Sequence, residues 1–200
     1  MSDAFTAGVA PGGLTFKSDI RILICYLVKS VPHSLTKANI IEVLQEKQLA
    51  NYFELADSVG LLEQRGHIIK DEDGLFYLSE TGLEIAMSLD TNLPPVVRDK
   101  ALESAFAMLK HARTVRENPV EINKTENGYD VVCHISGGSF DLMKISIFAP
   151  DDMQAKMIKE NFQNDPQYLY SLMLSAMVGD KAYIKSLIEE EEKPKLIYEE

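Results

Sequence analysis

The chain has 200 residues, enough for one large domain or two small ones, each able to bury a core. With 46% hydrophobic and 26% charged residues it is globular and not disordered. Its formal net charge of -11 excludes a broadly basic surface, so any affinity for nucleic acid needs a local basic patch to neutralise phosphates.

Residues 1 to 16 read as a polar, Gly-rich arm with Pro11-Gly12-Gly13, expected to be mobile or to fold back on a partner. A helix begins at Ser18, with Ile20, Leu23, Ile24, Leu27, Val28 and Val31 on one stripe, and Pro32 ends it. Leu35 and Thr36 read as staple and cap of a second helix that runs to about Gln45, with Lys47 to Ala50 as the turn. Asn51 caps a third helix, Tyr52 to Arg65, whose Leu55, Val59 and Leu62 face the core. Its outer face is expected to carry Glu54, Asp57, Ser58 and Leu61, with both carboxylates in solvent. Tyr52 and Phe53 are adjacent and expected to face opposite ways, one inward and one to solvent.

The stretch LEQRGHIIKDEDGLFYLSETG, Leu62 to Gly82, has the form helix end, strand, turn, strand, helix start. The helix breaks at Gly66, His67 to Lys70 extends, Asp71 to Gly74 turns and Leu75 to Leu78 returns. Ser79 caps a fourth helix to about Leu89, with Leu83, Ile85 and Ala86 as apolar contacts. A hairpin this short is not stable alone and must lean on the helices before it. Three helices and a leaning hairpin read as a winged helix-turn-helix domain, which lays its third helix in the major groove of DNA.

At Thr91 to Pro95 the composition changes, and a domain boundary is expected there. Pro95 opens a long helix to about Asn118, with Leu102, Ala105, Phe106, Leu109 and Ala112 as its seam. Three strands follow, Val120 to Thr125, Tyr129 to Ser136 and Ser139 to Ala149, joined by Asn127-Gly128 and Gly137-Gly138. Tyr129, Val131, Cys133 and Ile135 alternate onto one face of this antiparallel meander. Helices from Asp151 to Gln163 and from Asp165-Pro166 to Gly179 close the unit, and a last amphipathic stretch leads into an acidic tail over 191–200. The expected organisation is α+β: a winged domain at 1–92, a long connecting helix at 93–118, and at 119–200 a three-stranded antiparallel sheet with helices.

No apolar run approaches the roughly 20 residues needed to cross a bilayer. The start of the chain lacks the basic and apolar regions of a secretory signal, so a cytoplasmic protein without membrane contact is expected. Cys25 and Cys133 fall in apolar patterns and read as buried small hydrophobes. The sequence contains no phosphate loop, dinucleotide fingerprint, HExxH, CxxC or nucleophile elbow. His33, His67, His111 and His134 lie in four different elements without ligand spacing, so no catalytic residue, metal or cofactor is expected. Asp71-Glu72-Asp73-Gly74 resembles part of a calcium loop, but the strand pattern after it favours a plain turn. The late methionines, Met143, Met153, Met157, Met173 and Met177, suit core filling, with a ligand cavity or dimer surface as the alternative.

The segments MSDAFTAGVAPGGLTFKSDIRILICYLVKSV, ANYFELADSVGLLEQRGHI and KENFQNDPQYLYSLM together resemble an uncharacterised winged-helix family of Firmicutes, domain of unknown function 4364. The resemblance spans about residues 1 to 178, and the part after Gly179 lies outside it. It implies a winged helix-turn-helix half, a small α+β half and a role in transcription regulation, and it carries no catalytic residues. The wing and the LSETG turn also resemble those of PadR and MarR repressors, whose reading helices carry more Lys and Arg.

Two functions are therefore expected to compete. The first is a homodimeric regulator binding double-stranded DNA through Lys37, Asn51, Tyr52, Ser58, Arg65 and Lys70, the last two on phosphate. The charges oppose it, since residues 1–92 hold 7 Lys and Arg against 13 Asp and Glu. The second is a protein-interaction module that uses Glu54, Asp57 and the acidic wing tip on a basic partner.

Overall fold

The computed structural model describes residues 3–89 and 92–191. Tertiary contacts divide the chain into two units, residues 1–110 and 111–200. The division falls inside a helix that had been expected to stand apart as a connector. The expected boundary at Thr91 and almost all of the acidic tail lie outside the described residues.

In the first unit α1 (Lys17–Ser30), α2 (Lys37–Glu46) and α3 (Tyr52–Gln64) precede a hairpin of β1 (Ile68–Lys70) and β2 (Phe76–Leu78). Then come α4 (Glu80–Leu89) and α5 (Pro95–Glu117). Local chemistry sets the starts. Thr36 and Asn39 form a reciprocal capping box on α2, Asn51 caps α3 through the Phe53 amide, and the Ser79 hydroxyl accepts from the Gly82 amide. One core joins Leu23, Ile24 and Leu27 of α1 to Ile40 and Leu44 of α2, Leu55, Val59 and Leu62 of α3, and Ile68 and Phe76 of the hairpin. The first half of α5 adds Val97, Ala101 and Ala105 to that core. Its seam is rotated from the expected one: Phe106 is exposed, because Ala101, Ser104 and Ala105 take the buried side, and Ala112, two turns beyond Ala105 on that same side, is exposed as well. Leu83 of α4 is likewise exposed, while Ala86 is buried.

From Asp3 onward the arm folds back on the first unit of its own chain. Ala4 and Thr15 are bonded main chain to main chain, the Ala10 and Leu14 amides donate to the carbonyls of Gln48 and Leu49, and Leu14 joins the core. A chain that closes its own backbone bonds beside an apolar anchor has no cause to fray.

The second unit contains β3 (Val120–Thr125), β4 (Gly128–Ser136) and β5 (Asp141–Ala149) in one antiparallel sheet of order β3-β4-β5. It also holds α6 (Asp152–Asn164), α7 (Pro166–Val178) and α8 (Lys181–Glu191). Thr125 pairs with Gly128, so the first turn is Glu126-Asn127. Only Gly128 of the expected Asn127-Gly128 pair has a positive φ, 151°, as the first residue of β4. Val131, Cys133 and Ile135 pack with Ala155 and Phe162 of α6, which fulfils the expected alternation. Met153, Met157 and Met177 are exposed and fill no core. Burial pushes the Cys25 thiol up to about 12 and raises that of Cys133, so both behave as apolar filling at neutral pH.

Two glycines give the packing a test. A methyl group on Gly82 would collide with the main-chain carbonyl of His67, whereas one on Gly60 would meet only the Lys37 ammonium at 3.8 Å. Gly82→Ala is expected to lower the unfolding free energy by about 1–3 kcal/mol, the usual cost of overpacking. Gly60→Ala is expected to raise it by up to about 1 kcal/mol, the helix-propensity gain. Urea-unfolding midpoints of the two variants check the opposite signs.

Candidate nucleic-acid interface

The hairpin is held through Phe76. Its amide donates to the Leu35 carbonyl at 2.9 Å and its carbonyl accepts from the His33 amide at 3.0 Å. The α1–α2 connector therefore runs along β2 on the side away from β1, in the position of a third strand. The Phe76 ring is fully buried, and the Lys70 ammonium lies 5.4 Å from its centroid. At the tip, Asp71 Oδ1 accepts from the Asp73 and Leu75 amides, and its Oδ2 meets His33 Nδ1 at 2.9 Å. The bond to the His33 ring, followed by those amides, holds the Asp71 carboxyl below its usual range. The His33 ring also stacks on Tyr77 at 4.7 Å. Asp71 is thus spent on shaping the turn.

On α3 the expected outer face needs correction. Glu54 is only 8% exposed and Ser58 2%, so neither projects from the surface. Residues advance by about 100° per position on a helix. The direction opposite Leu55 and Val59 is therefore taken by Phe53, Asp57, Gly60 and Gln64, while Glu54 and Ser58 lie on a flank. That flank is covered. Glu54 accepts from the Phe5 amide at 2.9 Å and pairs with the Lys17 ammonium at 3.0 Å, and the Asn51 side-chain amide donates to the Ala7 carbonyl. The Phe5 amide, then Lys17 and Arg21, holds the Glu54 carboxyl below the ordinary glutamate range against the opposing pull of desolvation.

Of the six residues expected to contact DNA, the structure leaves three on the open surface without a competing charge partner among the described residues. Lys37 reaches toward Gly60, Arg65 is exposed at the end of α3, and Tyr52 is 48% exposed. Lys70 is exposed but pairs with Glu63 at 2.6 Å. Asn51 is committed to its cap and to the arm, and Ser58 is buried. Tyr52 and Phe53 do not divide between core and solvent: Phe53 is 71% exposed, and the rings meet edge to face at 5.5 Å. Phe53, Gly60 and Gln64 were missed. The same helical spacing that marks Leu55, Val59 and Leu62 would have found them on the opposite side.

Among the described residues no group of three or more His, Cys, Asp or Glu is placed to hold a metal ion. No helix among them is long and apolar enough to cross a membrane. The molecule is an α+β protein whose first half presents one open helix face beside a short hairpin. A family model, Domain of unknown function (DUF4364), matches residues 20–177, and the chain belongs to that family. No curated protein and no solved structure matches it.

Glu54 makes acid stability a test of this geometry. Its folded pKa is depressed, so its stabilisation is complete above the unfolded value near 4.3 and is lost as pH falls through the folded one. Glu54→Gln is expected to cost about 1–3 kcal/mol at neutral pH and to flatten the acid limb of the stability curve. Urea unfolding of both proteins across the acid range checks it.

Proposed function

We propose that residues 17–89 form a winged helix-turn-helix with a PadR- and MarR-like wing. In this reading the protein is a dimeric, non-enzymatic transcription regulator of the cytoplasm that lays α3 in the major groove of double-stranded DNA. One observation carries the reading: the seat of the hairpin, where both main-chain groups of Phe76 bond to the α1–α2 connector. A short hairpin seated in this way, directly after α3 in the chain, supports reading it as a wing next to a recognition helix.

The charges support it better than the composition does. Of the three carboxylates on α3, Glu54 is inside on Lys17 and Glu63 is on Lys70, which leaves Asp57 alone among the described residues without a cation. Gln64 is available to an adenine edge and Asp57 to a cytosine amino group. Lys37 and Arg65 serve phosphates, Tyr52 lies against a sugar, and Lys70 serves once it exchanges Glu63 for phosphate.

A second reading has its own observation, the exposed Tyr52–Phe53 pair. Such a pair can anchor a partner protein at its contact centre. Glu54 drops out of that surface, and Asp57 remains. Phe53→Ala would then abolish co-purification of the partner.

The DNA reading predicts retardation of duplex fragments at low salt. Lys37→Ala and Arg65→Ala should each weaken binding on all sequences and reduce the salt slope by about 1, and Asp57→Asn should strengthen it. No retardation at low salt, or a slope near zero, contradicts the reading.

A further inference from the structure

We propose that the free edge of β5 pairs antiparallel with β5 of a second copy, across a twofold axis at Ile145, making one six-stranded sheet. β5 is an edge strand of nine residues, and its outer side has no hydrogen-bond partner among the described residues. An open edge is a template for another strand, and soluble proteins guard such edges with charge, proline or a bulge. β5 contains no proline, Lys144 is its only cation, and the bulge in its pairing with β4 falls at the Leu142 end, which leaves Met143 to Ala149 regular. Its side chains are apolar on both faces: Leu142 is 43% exposed and Phe148 59% on one, and Ile147 42% on the other. Ile145 and Ile147 also line an open apolar cleft of about 460 Å³ against Phe162 of α6 and Met173 of α7. Single exposed apolar residues are ordinary, but an open edge with a regular run from Met143 to Ala149 and apolar side chains on both faces is not.

The occupant follows from register. A twofold at Ile145 sets Leu142 opposite Phe148, Met143 opposite Ile147 and Lys144 opposite Ser146. Every pair shares a face, as antiparallel pairing requires, and no like charges meet directly. A twofold at Lys144 would oppose the two ammonium groups, one at Met143 would carry the pairing into the irregular end, and one at Ser146 would set the Lys144 ammonium opposite Phe148. Leu142 to Phe148 is thus self-complementary, which is the requirement of an isologous contact. Pairing seven residues extends about 24 Å.

This inference rests only on the dimeric part of the proposed function. Retardation of DNA by a monomeric variant, or none by an intact dimer, tells the two apart. In light scattering after gel filtration, the wild type is expected at twice the 22.4 kDa chain mass. Leu142→Lys with Phe148→Lys, and separately Leu142→Glu with Phe148→Glu, should each run as a monomer with an unchanged far-ultraviolet spectrum. Mixing the two should restore the dimer. Ile145→Cys should form a covalent dimer under mild oxidation and Ser146→Cys should not, with the buried Cys25 and Cys133 silent. A folded Lys variant that stays dimeric, a mixture that stays monomeric, or no cross-link at Ile145→Cys overturns the proposal. So does a monomeric wild type, and one that dimerises when residues 192–200 are removed assigns the edge to the chain's own tail.

Discussion

The first half of the molecule depends on how Phe76 is held. Two strands of three residues cannot stand alone in water. Phe76 solves this from both of its ends, with its ring in the core and its amide and carbonyl bonded to the α1–α2 connector. Because the connector also carries Leu35 into the core and Thr36 onto the start of α2, one residue ties the hairpin to the entry of α2. The Asp71 turn and the His33–Tyr77 stack then shape the tip without adding to the core.

A second constraint acts at the other end of α3. A buried carboxylate is tolerated only with hydrogen bonds and a countercharge, and Glu54 has the Phe5 amide and Lys17. Glu54 also sits in the first turn of α3, where the helix dipole favours negative charge. The result is a clamp that draws the arm over one flank of the helix. It takes that negative charge off the open face of α3. An acidic chain can therefore carry a less acidic helix face than its composition suggests.

Much of this fold was legible because local rules and burial agreed. Thr36, Asn51, Ser79, Asp151 and Asp165 all start helices as their side chains dictate, and Gly179 ends α7 in the left-handed region. The meander strands and the Val131, Cys133, Ile135 face follow from alternation. What failed depended on distant residues. Glu54 and Ser58 look like surface positions until the arm, 49 residues away from Glu54 in the chain, closes over that flank. The seam of α5 was misplaced because Leu102, Phe106 and Leu109 make the stronger apolar stripe, whereas the core packs on the small side formed by Ala101, Ser104 and Ala105. Phe106, placed in the seam by its type, is exposed, and Tyr52 and Phe53, expected to divide between core and solvent, are both exposed.

The central claim is that the open face of α3 and the neighbouring hairpin meet DNA. Amide hydrogen exchange, followed at low salt with and without duplex DNA, tests it residue by residue. The account predicts added protection over residues 52–65 and 68–78, with α6 to α8 unchanged. Unchanged exchange across α3 and the hairpin, under conditions where DNA is bound, would contradict it.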